Sequence, residues 1–195
     1  MRISPSIASS NLLNIQSELE KINNQYEDLH IDIEDGNFVP NITFGKKMIA
    51  MLRDATELPF SVHLMVKDPI EYIYDLAQLK SHVIFIHVES TQYVLRYINR
   101  IHQLGMKAGI ALNPTTSIDS YQYLLSKCDS VLIMTSEPDN DGEKFLSGML
   151  FKIQKIRNIF PGEIWCDGGI DFENMKVLKK MNIDVCVMGR AIFKD

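Results

Sequence analysis

The chain has 195 residues, a net charge of −5, and a composition that is 46% hydrophobic and 23% charged. That is ordinary for a globular domain and enough chain to bury a sizeable core. The acidic balance argues against nucleic acid as a partner, because neutralising phosphates needs a basic surface. No apolar run reaches the roughly 20 residues of a membrane-spanning helix, and the opening "MRISPSIASS" lacks the long apolar stretch of a signal peptide. Cys128, Cys166 and Cys186 are odd in number and form no CxxC pair, so they read as reduced thiols in or near the core. The expectation is a cytoplasmic protein with no membrane association, folded as one domain over residues 1–195.

From the N-terminus onward, short runs rich in Val and Ile alternate with longer helical patterns. Strands are predicted at "ISPSIA", "DLHIDI", "FSVHLMV", "HVIFIHV", "KAGIAL", "SVLIMT", "EIWCD" and "DVCVMG". Their apolar character suits parallel strands covered on both faces. Helices are predicted between them, over 12–24, 46–55, 69–79, 91–104, 117–125, 146–160 and 172–181. Asp68 before Pro69 reads as a helix cap followed by proline at the first helical position, and Gly105 as a left-handed C-terminal cap.

Strands alternating with helices in this way fit an open doubly wound sheet or a closed barrel. The count of strands favours the barrel: an α/β protein of the (β/α)8 TIM class. Between the last strand and Asp195 there is room for a turn but not for a full outer helix, so the final helix is expected to be short or missing. A second copy of the chain covering that flank would make a homo-oligomer, a dimer or higher.

Barrel enzymes carry their chemistry at the C-terminal ends of the strands. In "LHIDIEDGNFVPN" the second strand ends with His30, Asp32 and Glu34 on one face and Leu29, Ile31 and Ile33 on the other. The apolar set is expected to pack against the outer helices, which turns the polar set inward. The third strand contributes His63, and the seventh ends at Asp167, followed by Gly168 and Gly169. Two histidines and two aspartates converging on one mouth form a donor set for zinc, iron, manganese or cobalt. A bound cation would offset the cost of burying so many ionisable groups. His87 and Glu89, at the end of the fourth strand, and His102, in a helix, receive no catalytic role. Backbone N–H groups in "DGGI" and in "MGR", which holds Gly189 and Arg190, lie where barrels bind phosphate. The loop "TSEPDNDGEKF" adds Gly142 but also acidic Glu137, Asp139 and Asp141.

With these motifs assembled, the sequence resembles the ribulose-phosphate 3-epimerase family along nearly its whole length. The matching segments are "SPSIASSNL", "HIDIEDGNFVPNITFG", "VHLMVKDP", "HVE", "GIALNPTT", "MTSEP", "DGGI" and "GRAIF", in the family's order and spacing. The resemblance implies a (β/α)8 barrel that interconverts pentulose phosphates at carbon 3. It implies metal ligands His30, Asp32, His63 and Asp167, with Asp32 and Asp167 as an acid/base pair on opposite faces of the substrate. It also implies substrate contacts by Ser6, Met65 and Met134. Two carboxylates suit the chemistry, because a single base does not readily reach both faces of one carbon. The metal would act as a Lewis acid toward the C2 carbonyl and the enediolate.

Three departures from the family stand out. Glu34 replaces a methionine, "PDNDG" replaces a glycine-rich "PGFGG"-like loop, and Gly189-Arg190 replaces Gly-Ser. They point to an epimerase-like subgroup rather than the housekeeping enzyme, and they leave the choice among ketose phosphates open. The competing expectation is a non-catalytic barrel that binds a sugar or sugar phosphate in a regulatory role. A Schiff-base aldolase is disfavoured, because no predicted strand ends in lysine.

Overall fold

The computed structural model describes residues 1–138 and 144–193. Eight parallel strands are present: β1 (Arg2–Pro5), β2 (Leu29–Glu34), β3 (Phe60–Met65), β4 (Val83–His87), β5 (Lys107–Leu112), β6 (Ser130–Met134), β7 (Glu163–Asp167) and β8 (Val185–Met188). Hydrogen-bonded neighbours run β1-β8-β7-β6-β5-β4-β3-β2. The ring is completed where β1 meets β2. There a single parallel bridge links Ser6 and His30, and Ser6 Oγ donates to Asp32 Oδ2 at 2.5 Å. The barrel expectation holds, and the open-sheet alternative does not.

The alternation of side chains along each strand sorts two cores. Outward-facing Leu29, Ile31, Ile33, Val62, Leu64, Ile84, Ile86 and their counterparts pack beneath the helices. Inside the barrel lie Val83, Phe85, Ala111, Leu132, Met134, Trp165, Val185 and Val187. Phe85 and Trp165 meet at 5.0 Å between ring centroids, in a tilted arrangement that aromatic pairs favour. Gly109 faces Phe85, and any Cβ there would collide with the ring. The interior is therefore a filled plug, with the polar layer above it.

The helices are α1 (Ile15–Ile22), α2 (Lys46–Ala55), α3 (Ile70–Gln78), α4 (Val94–Gln103), α5 (Met149–Ile159) and α6 (Phe172–Lys180). The apolar stripe of α4, namely Val94, Tyr97, Ile98 and Ile101, is buried, at the spacing that puts side chains on one helical face. Leu104 caps the C-terminus of α4, and Gly105 after it takes φ +82°, as the sequence predicts. At α6, Asp171 accepts from the N–H groups of Glu173 and Asn174 at 2.9 and 2.8 Å, a side-chain N-cap.

Three local expectations differ. Asp68 does not cap α3. It sits at φ +52° and accepts the Tyr97 hydroxyl at 2.6 Å, which ties α3 to α4, and Pro69 takes the cap position. The segment after β5 is a 3-10 helix over Ile118–Leu124, and only Ile118 and Leu124 are buried. Anchors six apart align at three residues per turn, not at 3.6. The first helix opens as a 3-10 turn, Leu12–Asn14, capped by the Asn11 side chain. After β8 the described chain makes only a turn, in which Ile192 and Phe193 donate to Gly189 O at 2.8 and 3.1 Å. Ala191, Ile192 and Phe193 pack against the outer core. No helix among the described residues is long and apolar enough to cross a membrane.

Candidate active site

Strand register delivers the site. Asp32 on β2 pairs with His63 on β3, and Met134 on β6 pairs with Asp167 on β7. The donor atoms of His30, Asp32, His63 and Asp167 all lie within 4.8 Å of one another. His30 Nε2 is 3.4 Å from Asp32 Oδ1 and 4.0 Å from Asp167 Oδ2. His63 Nδ1 is 3.2 Å from Asp32 Oδ1 and 3.4 Å from Asp167 Oδ2. Both imidazoles are fully buried. The sequence expected these four to converge, and they do.

Burial alone would raise the Asp32 carboxyl and depress the His63 imidazole. The charge of His30, with the hydrogen bond and charge of His63, reverses the first effect and holds Asp32 well below the usual carboxylate range. Hydrogen bonds to Asp167 and Asp32 reverse the second and push His63 up to about 9. The pocket therefore favours positive charge at the point between the four side chains.

A divalent cation fits that point. His30 Nε2 is buried and makes no hydrogen bond among the described residues. An orphaned buried polar atom costs about 1–3 kcal/mol, and a metal bond to that lone pair removes the cost. Two imidazole nitrogens and two carboxylate oxygens are the donors that zinc, iron, manganese and cobalt accept.

The remaining expected residues fall around this centre. Ser6 is buried against Asp32. Glu34 is buried at the end of β2, with its N–H donating to Thr43 Oγ1 at 3.0 Å. Met65 and Met134 are buried at the ends of β3 and β6. Gly168 and Gly169 take φ +116° and +63°. At Gly168 a side chain is also excluded by contact with Ser136, so β7 hands over to its loop against the end of β6. Thr135 reinforces this junction: its hydroxyl lies 2.9 Å from Asp167 O and 2.6 Å from Gly168 O. Gly189 packs against Ser9, and Arg190 is exposed. Gly142, Asp139 and Asp141 lie outside the described residues.

The structure also brings in residues to which the sequence assigned no role. His87 is fully buried, and its Nε2 lies 2.8 Å from His63 Nε2, with the rings stacked at 4.9 Å. Its Nδ1 is 3.1 Å from Glu89 Oε2, and Phe38 covers it at 4.7 Å. Burial pushes His87 down to about 4, against the pull of Glu89. The signal was available in the alternation of β4: His87 shares the inward face with Phe85. Asp35 is the architect of the following loop. Its Oδ1 accepts from the N–H groups of Asn37 and Phe38, both at 2.8 Å, and its Oδ2 accepts from the Lys67 N–H at 2.8 Å.

The model of the ribulose-phosphate 3 epimerase family matches residues 2–193. The chain is 34% identical to a ribulose-phosphate 3-epimerase of Helicobacter pylori, over all of this chain and 92% of that one. It is 35% identical to the enzyme of that name from Methanocaldococcus jannaschii, over 99% of this chain and 84% of the other. Among solved structures, the KGPDC of Streptococcus mutans superposes with a TM-score of 0.79 at 14% identity, covering 100% of this chain and 90% of that one. An N-acetylmannosamine-6-phosphate 2-epimerase of Clostridium perfringens gives 0.73 at 14% identity, over 99% and 88%. These two structural likenesses speak to the barrel fold alone. The full-length family match and the two sequence relatives place the chain in the ribulose-phosphate 3-epimerase family, a family of isomerases.

Proposed function

We propose that the chain is a metal-dependent sugar-phosphate 3-epimerase. The substrate class is a pentulose phosphate, such as ribulose 5-phosphate and xylulose 5-phosphate, or a related ketose phosphate. The observation that carries this reading is the convergence of Asp32 and Asp167, from β2 and β7, on two buried imidazoles. In this account His30, Asp32, His63 and Asp167 hold one divalent ion, with zinc, iron, manganese and cobalt all suited to the donors. The ion would supply Lewis-acid stabilisation of charge at the substrate carbonyl.

The carboxylates do the proton work. One takes the C3 proton from its face of the sugar, and the other returns a proton to the opposite face. Asp32 is held ionised by its imidazole neighbours, as a base must be. Ser6 anchors one Asp32 oxygen at 2.5 Å, which fixes the carboxylate's aim and leaves the Ser6 side chain at the edge of the substrate site. Met65 and Met134 give the pocket an apolar wall that excludes water. Backbone N–H groups beside Gly168, Gly169 and Gly189 bind the phosphate, with Arg190 adding charge-assisted contacts and Gly142 belonging to the same region of the substrate. Glu34 contacts substrate hydroxyls and sets this chain apart from relatives with methionine there. The protein works in the cytoplasm as a homo-oligomer.

The test is a panel of ketose phosphates incubated with metal-loaded protein in deuterated water. Deuterium at C3 of the epimer formed from at least one panel member is expected. Binding of a sugar phosphate with no exchange for any panel member would contradict the enzyme reading and favour a sugar-binding barrel with a regulatory role.

A further inference from the structure

We infer that Asp28 and Glu89, neither of them a ligand, set the tautomers of His30 and His63 through two hydrogen-bond relays, so that both imidazoles present a lone pair to the same point. This rests on the metal centre proposed above.

The first relay runs down the barrel interior. His30 Nδ1 lies 3.0 Å from Ser61 Oγ. Ser61 Oγ lies 3.1 Å from Ser4 Oγ, and Ser4 Oγ donates to Asp28 Oδ2 at 2.9 Å. The directions follow from counting protons. A carboxylate only accepts, so Ser4 commits its one O–H to Asp28. Ser4 can then only accept from Ser61, which commits Ser61's proton in turn. Ser61 is left to accept, so His30 must donate from Nδ1, and its Nε2 carries the lone pair. That is the atom aimed at Asp32 and Asp167. A competing bond from Ser61 to Leu29 O is longer, at 3.4 Å.

The second relay runs sideways into β4 and β5. Glu89 Oε1 accepts from the Asn113 N–H at 2.9 Å, and Oε2 lies 3.1 Å from His87 Nδ1. Glu89 accepts, so His87 carries its proton at Nδ1 and leaves Nε2 as an acceptor. His63 then donates from Nε2 across 2.8 Å, and its Nδ1 is the atom free to ligate. Two independent chains of donors thus end on lone pairs pointed at one place. Ser4, Ser61, His30, His63 and His87 are all buried, so water does not readily rewire the links among them, while Glu89 ends the second relay at the surface.

Asp28 and Glu89 are positioning residues, and replacing the carboxylate by an amide gives each relay an end that can donate as well as accept. Outer partners of this kind change metal affinity by about 10–100-fold. Zinc affinity of the full chain, by competition with a chromophoric chelator, is expected to fall by that factor in Asp28→Asn and in Glu89→Gln. Asp119→Asn, at an exposed carboxylate that pairs with Lys155 and belongs to neither relay, is expected to match the parent. Nitrogen-resolved NMR of the zinc-loaded parent is expected to show protons on His30 Nδ1, His87 Nδ1 and His63 Nε2. Parent-like affinity in both relay variants, or any one of the three protons on the other nitrogen, would overturn the relay. Because the NMR reading needs no variant, it decides the matter even if a substitution prevents folding. Failure of the parent itself to bind zinc, manganese, iron or cobalt would instead overturn the metal reading on which the relay rests.

Discussion

On the β2–β4 side of the barrel mouth, side chains hold side chains. Asp32 is fixed by Ser6 and His63, His63 by His87, and His87 by Glu89. On the β7–β8 side, the chain presents glycine and backbone: Gly168 and Gly169 at positive φ, Gly189 pressed on Ser9, and one exposed arginine. The first arrangement suits chemistry, where a proton must pass at a defined atom. The second suits an anion, where several N–H groups share the load and close approach matters more than identity. Asp167 joins the two, since it ends β7 in the metal cluster and its carbonyl lies 2.9 Å from the Thr135 hydroxyl beside the glycine turn.

If the two sides divide the labour in this way, substitutions should separate. The largest effect is expected at the bases. Asp32→Asn and Asp167→Asn should each lower kcat by at least the ~10²–10⁴-fold typical of a lost acid/base group, with metal content measured alongside. Full activity in either would break the two-base assignment. Next comes Gly168→Ala, where a methyl must fit at φ +116° against Ser136. It should raise KM for the phosphorylated substrate and lower Tm, and an unchanged KM would remove the anion role from this turn. Arg190→Ala, at an exposed position, should raise KM more modestly, with kcat kept within a few-fold of the parent; a large fall in kcat with KM unchanged would put Arg190 on the chemical side.

A milder probe is pH. His63 holds a proton until about pH 9 in the company of two carboxylates, and a metal ion must compete with that proton for Nδ1. Below about pH 9 metal affinity should therefore rise with pH, and binding at neutral pH should release close to one proton from this group. Titration calorimetry in buffers of differing ionisation enthalpy checks the count. Affinity flat from pH 7 to about 9 would contradict the described contacts of His63.

Much of this was legible in the residues. The alternation in "LHIDIEDGN" announced an apolar outer face and a polar inner one, because a strand has a period of two and no freedom to shuffle it. His63 and Asp167 were visible for the same reason. His87 was set aside although it obeys the same parity. Its role appears only when the strands are set side by side and its ring meets that of His63, and residues 24 apart in sequence do not advertise a shared hydrogen bond. Asp28, Ser4 and Ser61 were invisible for a related reason: each is unremarkable alone and gains meaning from the closure of β1 on β2. Asp68 was misjudged because Asp-Pro has two uses. The local signal of a cap cannot be told from that of a turn whose carboxylate reaches a neighbouring helix.

The most direct test of the central claim is the fate of hydrogen at C3 in deuterated water, followed at low conversion with the metal-loaded protein and whichever ketose phosphate it turns over. Two bases on opposite faces predict an epimerised product carrying deuterium at C3, while recovered substrate keeps its original hydrogen. A product that retains the substrate's own hydrogen would contradict the account, because one group would then be serving both faces.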